Sequence, residues 1–288
     1  MNLAIKRLLL MAMLLIMATT SCSDRAHDYY NSASSKAAKR DWDGAIADLT
    51  KAIELKPNHA EAYYNRGFAK AAERDWDGAI ADCTKAIELK PDYAKACYNR
   101  GNAKKAKGDF EGAKADYTKA IAVDPKSVWP YHIRGCIRYD LHDFTNALVD
   151  FRKALELDPS SDYAHFRVWL ICARLGEGEP ATTELQTYMA GRNTGRTNDW
   201  PSKVDHFLTG RVTETAFLAA AKNTNRKTEA GRLCEAYFYT GSKHLLAGDQ
   251  SLAAEYFQKS ITTDEKAFLE CDSATAELKF LSVKEVKP

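Results

Sequence analysis

Histidine and cysteine carry the widest chemical repertoire in this chain of 288 residues, so their spacing comes first. His27, His59, His132, His142, His165, His206 and His244 form no HExxH pair, and none stands beside a nucleophile motif. Glu177-Gly178-Glu179 reads as a turn with two acids, not as a carboxylate pair held at catalytic range. Cys83, Cys97, Cys136, Cys172, Cys234 and Cys271 show no CxxC and no regular metal spacing, which argues against zinc. They occur singly within helical patterns and read as small buried hydrophobes. The pattern therefore offers no catalytic site, no metal and no cofactor. What it does offer is recognition chemistry: tyrosine followed by asparagine at Tyr30-Asn31, Tyr64-Asn65 and Tyr98-Asn99. Amide groups exchange hydrogen bonds with a peptide backbone, and aromatic rings add contact area at little entropic cost.

Those pairs recur because the elements that carry them recur. Residues 40–57 (RDWDGAIADLTKAIELKP) and 74–91 (RDWDGAIADCTKAIELKP) differ at one position, and the landmarks continue at steps of 34. Pro57, Pro91, Pro125 and Pro159 end each unit; Ala45, Ala79, Ala113, Ala147 and Ala52, Ala86, Ala120, Ala154 mark its second helix. Ala33, Gly67, Gly101 and Gly135 supply a small residue where two antiparallel helices approach closely, and the proline stops the second helix before the next unit begins. Leu49, Cys83, Tyr117 and Phe151 share a face with the first alanine series. This layout resembles the tetratricopeptide repeat, in four units at about 26–59, 60–93, 94–127 and 128–161. The fold expected is all-α, an α-solenoid of helix-turn-helix repeats. In such a stack the second helix of one repeat packs on the first helix of the next, which makes Cys83 and Cys97 the first pair to examine for a disulfide.

Composition agrees with a helical solenoid: glycine and proline are few, and 45% of residues are apolar. A net charge of +2, with acids and bases alternating along the helices, lacks the concentrated basic footprint that nucleic-acid binding requires.

The first 21 residues read as a signal peptide: Lys6 and Arg7, an apolar run from Leu8 to Ala18, then small residues. Thr19-Thr20-Ser21-Cys22 resembles a bacterial lipobox, which implies lipidation of Cys22 and a linker over 22–25; ordinary cleavage near Ser21 is the alternative. Ser23 beside the cysteine resembles the outer-membrane sorting choice, so the expected location is the outer membrane, facing the periplasm.

Past Pro159 the repeat phase fades. Residues 160–226 read as a degenerate helical region in which Trp169 takes the place of the small packing residue. Trp169, Trp200 and Phe207 read as core, and Gly210 and Thr213 as a helix stop and a helix cap. Residues 227–285 regain the pattern at Gly241, Ala253, Phe257 and Ser260, and a last helix from about Lys266 to Leu281 is expected to cover the open end of the stack. The order DYAHFRVWL, DWPSKVDHFLTGRVTE, EAYFYTGSKHLLAGDQSLAAEYFQKSI and AFLECDSATAELKFL, behind repeats and a lipoprotein-like signal, resembles the NlpI-type envelope lipoproteins. That resemblance implies a dimeric, non-catalytic scaffold that presents murein endopeptidases and other periplasmic proteins to a processing protease. An assembly lipoprotein supporting an outer-membrane machine or pilus is the alternative.

The expected partner-binding face is the inner curve of the first helices. It holds Tyr30 and Asn31; Tyr64, Asn65 and Phe68; Lys95, Tyr98, Asn99 and Asn102; and Trp129, His132 and Tyr139. Asn65, Lys95, Asn99 and Asn102 resemble part of the clamp by which some repeat families grip a peptide's terminal carboxylate. The other reading is that the tyrosines fill seams between repeats and the asparagines were copied with the unit.

Overall fold

The computed structural model describes residues 23–192, 199–263 and 269–285, and within them the chain is all-helical, without strands. The signal peptide and Cys22 lie outside the described residues. The chain divides into two compact units, one ending at Lys126 and one beginning at Ser127.

Unit 1 contains α1 (23–38), α2 (Trp42–Leu55), α3 (Ala60–Ala72), α4 (Trp76–Leu89), α5 (Ala94–Ala106) and α6 (Phe110–Val123), paired as three hairpins. Each second helix starts in the same way. Asp41, Asp75 and Asp109 cap α2, α4 and α6 by accepting from the N–H of Gly44, Gly78 and Gly112 at 3.0, 2.9 and 2.9 Å. A Cβ on Gly78 would fall 2.1 Å from the capping carboxylate, so glycine is what lets the cap close. The preceding turn needs a left-handed residue, supplied by Arg40, Arg74 and Gly108 at φ 60°, 62° and 82°. Between helices the core is thin and alanine-rich. Ala33, Ala45, Leu49, Ile53 and Ala62 form one cluster, and Ala86, Ile87, Ala96, Cys97 and Ala120 another.

A polar ladder reinforces each hairpin. Asp82 on α4 accepts from Arg66 Nη2 at 2.7 Å and pairs with Lys70 at 2.8 Å. Asp116 does the same with Arg100 and Lys104 at 2.6 and 2.9 Å, while Asp48 takes Ser32 and Lys36 at 2.7 and 2.6 Å. These aspartates are buried, and burial of a carboxylate is tolerated where cations and hydrogen bonds surround it.

Unit 2 contains α7 (Val128–Asp140), α8 (Phe144–Leu157), α9 (Asp162–Arg174), α10 (Gly178–Gly191), α11 (Trp200–Leu208), α12 (Glu214–Ala220), α13 (Arg226–Leu246), α14 (Gln250–Thr262) and α15 (Leu269–Glu285). The fourth repeat, α7–α8, keeps the ladder through Asp150, held by Arg134 and Arg138 at 2.7 Å each. It shares one large core with the helices that follow, through Cys136, Tyr139, Ala147 and Phe151.

Two expectations change here. Within the region read as degenerate, one hairpin keeps some of the repeat's landmarks. The α9–α10 hairpin keeps the left-handed turn at Gly176 (φ 88°) and the buried Ala181 and Leu185, and Trp169 is accommodated by donating its Nε1–H to Thr182 Oγ1 at 2.9 Å. The last helix does not merely cover an end: α15 packs on α13, α14 and also α7. Cys83 and Cys97 are buried free thiols, and burial pushes the Cys83 thiol up to about 12; the disulfide joins Cys234 on α13 to Cys271 on α15. Cys136 and Cys172 are buried thiols outside the disulfide. Trp169, Trp200 and Phe207 are core, with Phe217 stacked on Trp200 and on Phe207 at centroid distances of 5.4 and 4.3 Å. Gly210 ends α11 with a positive φ of 77°, and Thr213 caps α12 by accepting from the Ala216 N–H at 3.3 Å. Gly241 sits where a Cβ would meet Phe257 at 2.9 Å, so the α13–α14 hairpin has the close approach of a repeat.

Candidate peptide-binding surface

In unit 1 the first helices of consecutive hairpins lie side by side, with α3 against α5, and their recognition residues share one face. Tyr64, Asn65 and Phe68 on α3 line a cavity of about 290 Å³ with Ala33, Ser34 and Ala37 of α1 and Ala45 and Leu49 of α2. Alanine at α1 and α2 leaves that space, because none of these side chains reaches across it. Phe68 stays 46% exposed and meets Trp42 edge-on at 5.9 Å. An exposed ring at the mouth of an alanine-walled cavity is an anchor point for an apolar partner side chain.

The asparagines are partly spent within the protein. Asn65 Nδ2 donates to the Tyr30 hydroxyl at 3.0 Å, tying α3 to α1. Asn99 stands in the same relation to Tyr64: it opposes the upward push that burial gives the Tyr64 hydroxyl, yet its own Nδ2 is buried without completing a hydrogen bond. Asn102 Oδ1 accepts from the Tyr117 hydroxyl at 2.8 Å. A hydrogen bond between Asn102 and the Tyr98 hydroxyl uses a further part of that amide, so the asparagines serve to tie neighbouring helices together. Tyr64 packs on Tyr93 and Tyr98 on Tyr117, at 5.0 and 5.7 Å between ring centroids, so both tyrosines fill seams as well as face outward. Lys95 is exposed at the start of α5.

Trp129 and His132 belong to unit 2. His132 is buried edge-on to Phe151 at 5.4 Å, and burial pushes its pKa down to about 4. Tyr139 departs from the expected inner surface. It is fully buried under α15 and donates to Glu277 Oε1 at 3.0 Å, because α15 covers α7 there. Besides Ala274 and Leu281 in the core and the disulfide to α13, α15 is held by polar pairs: Arg167 donates to Ser273 and Glu270 at 3.1 and 3.3 Å, Ser273 donates to Asp140 at 2.6 Å, and Arg174 pairs with Glu277.

Four other histidines have structural places. His59 caps α3 by accepting from the Ala62 N–H at 3.3 Å, His142 occupies a left-handed turn, His165 stacks on Tyr188 at 3.5 Å, and His244 pairs with Glu214 at 2.7 Å. Among the described residues no group of three or more His, Cys, Asp or Glu side chains is placed to hold a metal ion.

Profiles of the tetratricopeptide repeat match residues 37–73, 60–93, 94–127 and 130–161. Residues 37–127 and 130–161 are thus tetratricopeptide repeats, a fold that generally serves as a non-catalytic protein-interaction module. The chain is similar to the crystal structure of a tetratricopeptide repeat protein from Parabacteroides merdae, at 18% identity over 88% of this chain and 99% of that one, with a TM-score of 0.59. It is also similar to the crystal structure of a MamA protein, at 21% identity over 58% of this chain and 91% of that one, with a TM-score of 0.54. A MamA fragment from Desulfovibrio magneticus RS-1 resembles it at 20% identity over 58% of this chain and 94% of that one, with a TM-score of 0.53. At these identities the likeness is one of fold. No curated protein matches the chain.

Proposed function

We propose that this protein is a non-catalytic adaptor of the bacterial cell envelope, exported and anchored by lipid at Cys22 to the periplasmic side of the outer membrane. It gathers partner proteins on the face formed by Tyr64, Asn65, Phe68, Lys95, Tyr98, Asn99 and Asn102. The observation that carries the reading is the alanine-walled cavity beside exposed Phe68, set in an interaction-type repeat. Export is supported by the signal-like first 21 residues and by the Cys234–Cys271 disulfide, since disulfides persist in oxidising compartments. The partners implied by the NlpI-type resemblance are a periplasmic processing protease and murein endopeptidases, and the assembly implied is a homodimer.

An adaptor works by raising the local concentration of two weakly bound partners, which increases apparent affinity by about 10²-fold or more without catalytic groups. Titrating the protein, from Ser23 onward, into a processing protease and a murein hydrolase of the same organism tests this. Cleavage should rise and then fall as excess adaptor separates the pair. Cleavage by the adaptor alone, or no enhancement while both partners are shown to bind, overturns the proposal.

A further inference from the structure

Unit 2 holds a second pocket, of about 450 Å³, that the surface on α3 and α5 does not include. Its walls come from the start of α7 (Val128, Trp129 and His132), the turn before α9 (Asp158 and Ser161), α9 (Tyr163 and Arg167) and the start of α15 (Leu269 and Glu270). Its size is in the range of sites that take a side chain or small ligand.

Two aromatic rings stand open at this site. Trp129 is 63% exposed and Tyr163 is 38% exposed, although both are large enough to be worth burying. Their positions are fixed from behind. The Trp129 ring meets His132 edge-on at 6.0 Å, and Tyr163 meets Phe166 edge-on at 6.0 Å and donates to Glu235 at 3.4 Å. The indole is therefore a held platform at the pocket rim.

Among the described residues that line the pocket, the charges have one sign left over. Arg167 is fully buried and spends its charge on Glu270, with Ser273 taking a second N–H and the Tyr139 and Phe238 rings lying 5.1 and 4.8 Å from its guanidinium carbon. His132 is neutral at pH 7. Glu235, behind Tyr163, is buried with its pKa pushed up to about 8, chiefly by burial and then by Glu270, so it too is largely uncharged there. Asp158 is different. Its carboxylate accepts from the backbone N–H and hydroxyl of Ser160 at 3.0 and 2.7 Å, bonds that hold its pKa below the usual value, and among the described residues it enters no ion pair. An ionised carboxylate and two open aromatic faces form the chemistry that takes up an organic cation, through a charge pair and through attraction to the ring faces.

We propose that this pocket binds the basic side chain of a partner peptide, an arginine or lysine whose charged end lies against Asp158 and whose stem is flanked by Trp129 and Tyr163. The proposal rests on the reading of the protein as an adaptor, but it concerns the other unit and a different side-chain chemistry, so the two can fail separately.

The chain's five tryptophans give separate indole N–H signals in isotope-labelled protein, and Trp129→Phe identifies the one that matters. The probes are the peptide Ac-Ala-Ala-Arg-Ala-Ala-NH2 and its citrulline and glutamate counterparts, which keep the size and lose or reverse the charge. The arginine peptide should move the Trp129 signal saturably, with the citrulline peptide at least about fivefold weaker. Asp158→Asn preserves the acceptor for Ser160 and should bring arginine binding down to the citrulline level, with the Trp169 and Trp200 signals unmoved as evidence of an intact core. Equal binding of the arginine and citrulline peptides, stronger binding of the glutamate peptide, or an arginine response untouched by Asp158→Asn would overturn the proposal. A response confined to Trp42 and Trp76 would refute this pocket while leaving peptide binding by unit 1 standing. A Trp129 response with no partner capture by α3 and α5 would do the reverse.

Discussion

The two units use one hairpin for opposite ends. In unit 1 the packing position of the second helix is Leu49, Cys83 or Tyr117, the core between hairpins is mainly alanine, and the first helices keep Phe68 and the asparagines on a face with a cavity. In unit 2 the equivalent position is Phe151 in a large aromatic core, and the chain's own α15 lies over α7, reaching Tyr139 and Asp140 with Glu277 and Ser273. The same backbone thus either presents its first helices or covers them. What decides is whether a later segment carries polar groups that match theirs. Arg167 and Arg174 on α9 have no counterpart with this role in unit 1; they are the cations that Glu270 and Glu277 of α15 answer.

The largest effect should come from breaking that match. Glu277→Ala removes the buried carboxylate that pairs with half-buried Arg174 and should destabilise unit 2 by about 3–5 kcal/mol. Hydrogen exchange should show protection lost along α15 and retained in α3 and α5. Truncating the shared packing position separates the cores directly. Phe151→Ala should cost about 3–5 kcal/mol by urea unfolding, as emptied aromatic sites do. Cys83→Ala, at the same place in unit 1, removes one atom's worth of burial and should cost about 1 kcal/mol. Similar costs at both positions would erase the distinction between the units.

A pH effect is expected in unit 2. Glu235 has its folded pKa raised to about 8, so between its ordinary value and pH 8 the folded state holds a proton that the unfolded state has released. Stability from this group therefore falls as pH rises. Between pH 7.5 and 8 His132 is almost wholly neutral in both states, and the slope there comes chiefly from Glu235. Glu235→Gln keeps an acceptor for the Trp200 N–H, turns the other oxygen into an N–H donor toward the Tyr163 hydroxyl, and should flatten the fall in melting temperature across that window. A wild-type melting temperature that rises over the window would contradict the burial argument.

The smallest effect concerns the turns. Arg74 adopts the left-handed conformation that Gly108 supplies one repeat later, so Arg74→Gly should stabilise unit 1 by up to about 1 kcal/mol, and Gly108→Arg should cost about as much. Thermal unfolding of both variants checks the pair of signs.

Four repeats were legible because each position has one job repeated at a fixed step: a cap, a close approach, a packing ring, a stop. The aspartate ladder was equally periodic at Asp48, Asp82, Asp116 and Asp150, but charged residues on a helix read as solvated, and the burial comes only with the matching arginines. Trp169 breaks the pattern at the α9–α10 hairpin, although Gly176, Ala181 and Leu185 stay in phase. The path of α15 was not legible. Glu270, Ser273 and Glu277 look like a water-facing stripe, and their partners on α7 and α9 stand more than 100 residues away in the chain. Tyr139 was misplaced for the same reason. The surface residues on α3 could be read from their register, whereas the internal hydrogen bonds of Asn65 and Asn102 depend on neighbouring helices.

The central claim is that the face of α3 and α5 captures partners while unit 2 has its first helices largely covered. Affinity for an envelope partner protein, measured by calorimetry for Tyr64→Ala with Tyr98→Ala and for Asn65→Ala with Asn99→Ala, tests it most directly. The account predicts a loss of about 1–3 kcal/mol in each double variant, with helical content by circular dichroism retained. Undiminished affinity in both, with folding intact, would contradict it.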